Sequence, residues 1–317
     1  MRILILGGTR FLGRRVAEIL VAAGHELTLL SRRSGSVSKG ARQICAERGA
    51  GLHALKGDQF DLVLDFICHD GDGPVEVAMS IDPVRYVLIS STWVPRLWFG
   101  ARADELHPGL APVTTDLPAV TVDYLNGKVL AEQAVASLRK AGRDAVTLRL
   151  PIMLAEGDHT GRLDFYRRRF ADGGRVIAVD GGHNSAQIAV MDDLAQALVR
   201  WVEGTDIGRL PIWEGLPGEG RSVRSILELM ATSWGAKAKL MDVPMGELAR
   251  DLPAYLEQEP FWRETALPVT EANIYAAVGV TPATFGNELQ TSVLAASSAV
   301  NLLRSEELRF LANRQTH

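Results

Sequence analysis

Over the first half of the chain the hydrophobic positions fall into short unbroken runs separated by stretches of helical periodicity. Arg2-Ile3-Leu4-Ile5-Leu6 is an almost purely apolar run, the pattern of a strand buried on both faces of a parallel sheet. Leu12, Val16, Ile19, Leu20 and Ala23 then recur at helical spacing, with Gly24 where a helix usually stops. His25 to Leu30 reads as a second strand. The same reading gives a short third strand over Arg42 to Ala46 and a helical connection over Leu52 to Lys56. A buried strand follows over Asp61 to Ile67, then a helix over Pro74 to Ile81 and a strand over Arg85 to Ile89. An amphipathic run extends to about Leu138, and a sixth strand spans Ala145 to Leu150. Between them, Gly100 to Val122 holds prolines and glycines with little periodicity and reads as a long surface excursion.

The pattern becomes mixed in the second half. Val223 to Trp234 reads as helix, Ala238 to Val243 as strand and Gly246 to Leu256 as helix, with one or two closing helices from Glu288 to about Leu311. No internal repeat is visible. A chain of 317 residues, 47% hydrophobic and 23% charged, holds one full domain and a smaller one. The expected division is residues 1–150, with the sheet completed by parts of 185–215, and a mainly separate lobe over 151–317.

Net charge is −4 and the isoelectric point about 6.0, so no global basic field favours nucleic acid or an anionic membrane. Met1 leads directly into a strand and no apolar run approaches the length of a membrane span, so a cytoplasmic location is expected. Both cysteines, Cys45 and Cys68, fall in or next to expected buried strands, where a thiol behaves as a small hydrophobe. His159 and His183 sit in polar loops without partners at ligand spacing, and no metal site is expected.

Candidate chemistry begins at the first turn. Gly7-Gly8-Thr9-Arg10-Phe11-Leu12-Gly13 joins a strand to a helix, the context in which glycines let the backbone approach a pyrophosphate at the helix N-terminus. The second strand closes in Ser31-Arg32-Arg33, with no carboxylate to bond a ribose 2′-hydroxyl. Arginines suit a 2′-phosphate, and Arg10 adds a further cation, so NADP(H) is expected in preference to NAD(H). Phe66 and Ile67 close the Asp61–Ile67 strand, whose carboxyl end faces the cofactor crevice. Glu47-Arg48 reads either as an adenine contact or as a solvated strand end.

Tyr124 and Lys128 are one helical turn apart and share a face if their segment is helical. A tyrosine with an ordinary pKa of about 10 exchanges a proton near neutrality only if its phenolate is stabilised, which a lysine ammonium one turn away does. The lysine also suits the nicotinamide ribose. A serine at the end of the preceding strand, in Ser90-Ser91, completes a donor pair around a substrate oxygen.

These residues in this order, with Glu132 four residues beyond Lys128, resemble the extended short-chain dehydrogenase/reductase superfamily. The likeness is to its NAD-dependent epimerase/dehydratase-like members with a Gly-Gly-Thr-Arg-Phe-Leu/Ile-Gly turn. It continues through Leu148-Arg149-Leu150-Pro151, Gly157-Asp158-His159, Gly173-Gly174 and Ile188 to Leu194, up to about Pro217. The resemblance implies a doubly wound, Rossmann-like sheet with a smaller C-terminal substrate domain. It also implies Tyr124 as general acid/base, Lys128 as its electrostatic partner and Ser91 as second hydroxyl. It places Gly7, Thr9, Arg10, Phe11, Leu12, Gly13, Ser31, Arg32, Arg33, Phe66, Ile67, Tyr124, Lys128 and Pro151 at the cofactor, and suggests a homodimer built on the helix carrying Tyr124.

Departures shape the expected substrate. Pro95 and Arg96 replace the tyrosine and glycine usual in sugar-nucleotide enzymes, and Thr92-Trp93 stands where dehydratases carry a glutamate, which disfavours a sugar-nucleotide dehydratase. Thr92 and Trp93, with Trp98 and Phe99, line either a less polar pocket or ordinary packing. Arg162, Arg167, Arg168 and Arg169 form either an anion pocket or a solvated helix face, the second reading being preferred. The function expected is an NADP(H)-dependent oxidoreductase acting on a secondary alcohol or ketone of a small molecule. Its rivals are an NAD(P)-dependent epimerase of a sugar or sugar nucleotide and a non-catalytic nucleotide-sensing or RNA-binding protein.

Overall fold

The computed structural model describes residues 1–33, 40–96, 119–158, 160–204, 207–218, 220–282 and 302–314. The chain divides into two compact units. The first comprises Met1–Pro151, Met191–Leu216 and Val269–Thr281, and the second Ile152–Val190, Pro217–Pro268 and Pro282–His317.

The first unit is built on β1 (Arg2–Leu6), α1 (Phe11–Ala22), β2 (Glu26–Ser31), β3 (Arg42–Cys45) and α2 (Arg48–Ala54). β4 (Leu62–Asp65), α3 (Asp72–Ser80), β5 (Arg85–Ser91), α4 (Trp93–Arg96), α5 (Ala119–Lys140) and β6 (Asp144–Leu150) follow. With an edge strand at Ile212–Glu214, the strands form a seven-stranded sheet in the order edge, β6, β5, β4, β1, β2, β3. All its pairings are parallel. This is a Rossmann-like sheet whose order reverses between β1 and β4, the place where such sheets take ligands. Leu6 pairs with both Leu30 and Asp65, and Ser91 with Leu150, so the carboxyl ends of the strands share one edge.

The apolar runs explain the layering. Ile3, Leu4, Ile5 and Leu6 are fully buried, as a central parallel strand covered by helices on both faces requires. β3 is the outer strand and only half-buried, which corrects the expectation for Cys45. Its thiol is exposed and donates to the Arg32 carbonyl at 3.4 Å, whereas Cys68 is buried. α2 begins at Arg48, a turn before the expected Leu52. Its opening Arg-Gly-Ala-Gly is a weak helix sequence, but Gly51 lets it lie on β2, where an added Cβ would stand 2.2 Å from Leu30 Cδ1. Helix Met191–Glu203 buries Leu194, Leu198, Trp201 and Val202.

Among its described residues the second unit carries only two-stranded sheets. Arg175–Val179 pairs in parallel with Lys239–Val243, and Ile152–Met153 with Ile188–Ala189, while Ser185–Ala186 runs antiparallel to Arg221–Ser222. Its core, largely aliphatic, includes an aromatic cluster in which Tyr166 stacks on Phe261 at 5.2 Å and meets Phe165 edge-on at 5.1 Å. The helix expected over Gly246 to Leu256 is two, Met245–Asp251 and Pro253–Gln258. Leu252, at φ −148°, breaks it because the residue before a proline is forced out of the helical region. A terminal helix spans Leu302–Asn313. The rest of the expected closing segment, and most of the excursion over 100–122, lie outside the described residues.

Candidate functional site

The glycine turn leaves β1 at Leu6 and enters α1 at Phe11. Gly7 has φ 91°, and a Cβ there would stand 2.4 Å from Ile67 Cγ2. At Gly13 a Cβ would stand 2.7 Å from the Gly7 carbonyl oxygen. Side chains at these positions would close the turn, so it is a cradle that only glycine keeps open. Arg10, at the N-cap, makes no side-chain capping bond, and the first turn of α1 holds no acidic residue. Its N–H groups are therefore left for an anion. Phe11 takes φ 45°, a left-handed conformation uncommon outside glycine, at the point where the chain enters the helix. Thr9 is half-buried, and Leu12 is buried and can meet a ligand only through its backbone.

Arg10, Arg32 and Arg33 are all exposed beyond the adjoining ends of β1 and β2, and none pairs with a carboxylate among the described residues. The Ser31 hydroxyl turns back to donate to the Arg33 carbonyl at 2.9 Å.

On the other side of the switch point, α5 packs over β5 and the loop after β4. Gly127 makes this possible, since a Cβ there would stand 2.0 Å from the His69 carbonyl oxygen. Lys128, next along the helix, is 4% exposed and donates from Nζ to the carbonyls of Cys68 and Ile89, both at 2.7 Å. Burial pushes its ammonium below the ordinary lysine range, against the opposing influence of Asp65 and Glu132. Tyr124, one turn earlier, is 45% exposed, with the Lys128 ammonium 5.8 Å from its ring centre.

The two serines separate sharply. Ser90 is buried and donates to Glu132 Oε1 at 2.5 Å, so its hydroxyl is spent inside the protein. Ser91 is half-buried, its Oγ accepting from the Trp93 N–H at 3.2 Å. Thr92 is 1% exposed, and its Oγ1 has no hydrogen-bond partner among the described residues. Phe66 is half-buried, Ile67 is 39% exposed and Pro151 is buried. Trp98 and Phe99 lie outside the described residues.

Two readings of arginines are corrected. Arg48 is neither an adenine contact nor a solvated strand end, because its guanidinium turns inward to Asp65 at 2.6 Å and to the Gly73 carbonyl at 2.9 Å. The arginines of helix Arg162–Ala171 do not form a solvated face. Arg169 is fully buried against Glu307 at 2.9 Å, and Arg167 is largely buried and paired with Glu156 and Asp164. Arg162 is half-buried at the helix start, with no ion-pair partner among the described residues. Sequence reasoning misses Asp65 entirely. It lies within an apolar run, and its partners are distant in sequence; only an acid inside a strand that should be wholly apolar could signal it.

A Rossmann-like sheet, an open glycine cradle at its switch point and a tyrosine one turn from a buried lysine define a nicotinamide-nucleotide fold of the extended short-chain dehydrogenase/reductase type. The chain belongs to the NAD dependent epimerase/dehydratase family, which it matches over residues 3–210. Among solved structures it is similar to the Thermus thermophilus UDP-glucose 4-epimerase complex with NAD. Identity is 18%, 95% of this chain and 100% of that chain are covered, and the TM-score is 0.64. It is also similar to the Thermotoga maritima UDP-glucose 4-epimerase with UDP-glucose, at 15% identity over 92% and 96% of the two chains and a TM-score of 0.66. A third likeness is to MoeE5 in complex with UDP-glucuronic acid and NAD, at 17% identity over 93% and 98% and a TM-score of 0.66. A search of curated proteins finds no match.

Proposed function

We propose that the protein is an NADP(H)-dependent oxidoreductase that interconverts a secondary alcohol and a ketone on a small molecule. The cofactor, when bound, supplies or accepts the hydride. The chain's own residues do the rest. The turn from Gly7 to Gly13 holds the pyrophosphate, and Tyr124 gives a proton to, or takes one from, the substrate oxygen. Lys128 stabilises the phenolate and bonds the ribose, and Ser91 donates the second hydrogen bond to the substrate oxygen. The observation that carries this reading is the placement of an exposed phenol one turn from a buried ammonium, on the helix that flanks the cradle's sheet.

The preference for NADP(H) rests on Arg10, Arg32 and Arg33, three cations without carboxylate partners among the described residues, beyond the adjoining ends of β1 and β2. Two of the similar structures hold NAD, which favours the other cofactor. Titrating both nucleotides decides: NADPH is expected to bind more tightly.

The family and its structural neighbours favour a second reading, epimerisation of a sugar nucleotide with no net change in the cofactor. Incubating the protein with NADPH and a panel of ketones, then with UDP-sugars, separates the two. Loss of nicotinamide absorbance with a ketone supports the oxidoreductase, whereas epimerised product at constant absorbance supports the epimerase.

A further inference from the structure

Asp65 closes β4 and is fully buried. Its Oδ1 accepts the backbone N–H groups of Ile67 at 3.2 Å and Cys68 at 3.0 Å, which folds the chain into a tight turn directly after the strand. Its Oδ2 accepts from Arg48 at 2.6 Å and from the Tyr86 hydroxyl at 2.8 Å. The two ends of that turn reach two different parts of the site. Ile67 lies against Gly7 of the cradle, and the Cys68 carbonyl takes the Lys128 ammonium at 2.7 Å. One buried carboxylate therefore shapes the wall of the phosphate turn and fixes the anchor of the lysine.

We propose that Asp65 is a positioning residue which, braced by Arg48 and Tyr86, sets both the place and the charge of Lys128 and couples them to the glycine turn. The proposal rests on Lys128 serving the proton transfer described above. The titratable groups that act on the ammonium are Asp65 from β4, Cys68 from the following loop, Tyr124 and Glu132 from α5 and Arg48 from α2, while β5 offers it the Ile89 carbonyl. Desolvation works against the charged lysine. Asp65 is the strongest of the charges that oppose it, with Glu132 adding to its effect and Arg48 working the other way, while the Cys68 thiol, pushed up to about 11 by burial, stays neutral. Arg48 is also held by Glu76 at 3.4 Å, so the brace extends to α3.

This arrangement makes a prediction of sign that a purely structural role does not share. Asp65→Asn keeps an oxygen for the two N–H groups but removes the charge, and its amide cannot accept from Arg48 or Tyr86. Arg48→Gln keeps the carboxylate and removes an opposing cation. The Lys128 ε-carbon resonance, assigned through Lys128→Arg in 13C-lysine-labelled full-length protein, is followed over a pH titration alongside NADPH affinity by fluorescence. In Asp65→Asn the lysine is expected to lose its proton about one pH unit lower or more, with NADPH affinity falling over the same range. In Arg48→Gln it is expected to lose its proton at higher pH than in the wild type. Midpoints that move in the same direction, or that do not move in folded variants, overturn the proposal. If Asp65→Asn fails to fold, the direction in Arg48→Gln decides alone. If the wild type binds no nucleotide, the functional reading fails while the resonance still decides the role of Asp65.

Discussion

The two units bury the same kinds of charged pair and use them differently. In the first, Asp65 pairs with Arg48 and Glu132 with Arg149, and both carboxylates act on Lys128. Each carboxylate also accepts from a further group: the N–H groups of the β4 turn for Asp65, the Ser90 hydroxyl next to Ser91 for Glu132. In the second, Arg169, Glu307, Arg304 and Asp172 form a chain of ion pairs between helix Arg162–Ala171 and its following turn on one side and the terminal helix on the other. There Arg169 lies over the Phe165 ring at 3.3 Å. The first set, on the proposal above, orients Lys128; the second joins two helices. Burial of a pair does not reveal its role, since a buried ion pair is weak evidence of stability in itself. What separates the two is what else the carboxylates hold.

Replacements in the two regions should therefore report on different quantities. The largest effect belongs to Tyr124→Phe, expected to lower turnover by about 10²- to 10⁴-fold while leaving NADPH affinity and the urea midpoint close to wild type. In the second unit, Glu307→Ala strands Arg169 without its countercharge and is expected to cost about 3–5 kcal/mol in urea unfolding, with NADPH affinity unchanged. A smaller effect is expected of Arg32→Ala: about tenfold to a hundredfold weaker NADP(H) binding, the value of one charge-assisted hydrogen bond, with NAD(H) affinity unmoved.

The smallest test concerns Glu214, buried on the edge strand with Oε2 unpartnered among the described residues. Desolvation raises its pKa, opposed by Arg149 and assisted by Glu132. A carboxyl whose folded pKa is raised contributes stability that is full below its unfolded value and lost as pH rises through the folded one. Glu214→Gln cannot ionise. It should match the wild type at about pH 4 and exceed it by up to about 1 kcal/mol at pH 8, read from thermal or urea unfolding at both pH values.

Elements whose signal is local are legible without coordinates. The run Ile3 to Leu6, the glycine turn and the stripe of α1 each carry their own pattern, and the spacing of Tyr124 and Lys128 predicts their shared face. What escapes depends on partners distant in the chain. Arg48 reads as solvated because nothing near it in sequence shows that Asp65 and Gly73 await its guanidinium. Arg169 reads as one more charge on an exposed face until Glu307 closes on it from the terminal helix. Cys45 is misplaced because a strand's pattern does not say whether it lies at the edge of the sheet. Gly127, inside a helix where glycine is costly, is the one local clue to the close approach of the β4 loop.

The central claim is that the cradle from Gly7 to Gly13 binds a nicotinamide nucleotide and brings it to Lys128. Fluorescence titration of the wild type and of Lys128→Met with NADPH and NADH tests it most directly. Saturable binding of both by the wild type, tighter for NADPH and weakened by Lys128→Met, is the predicted result; no response to either nucleotide, or binding indifferent to Lys128→Met, would contradict it.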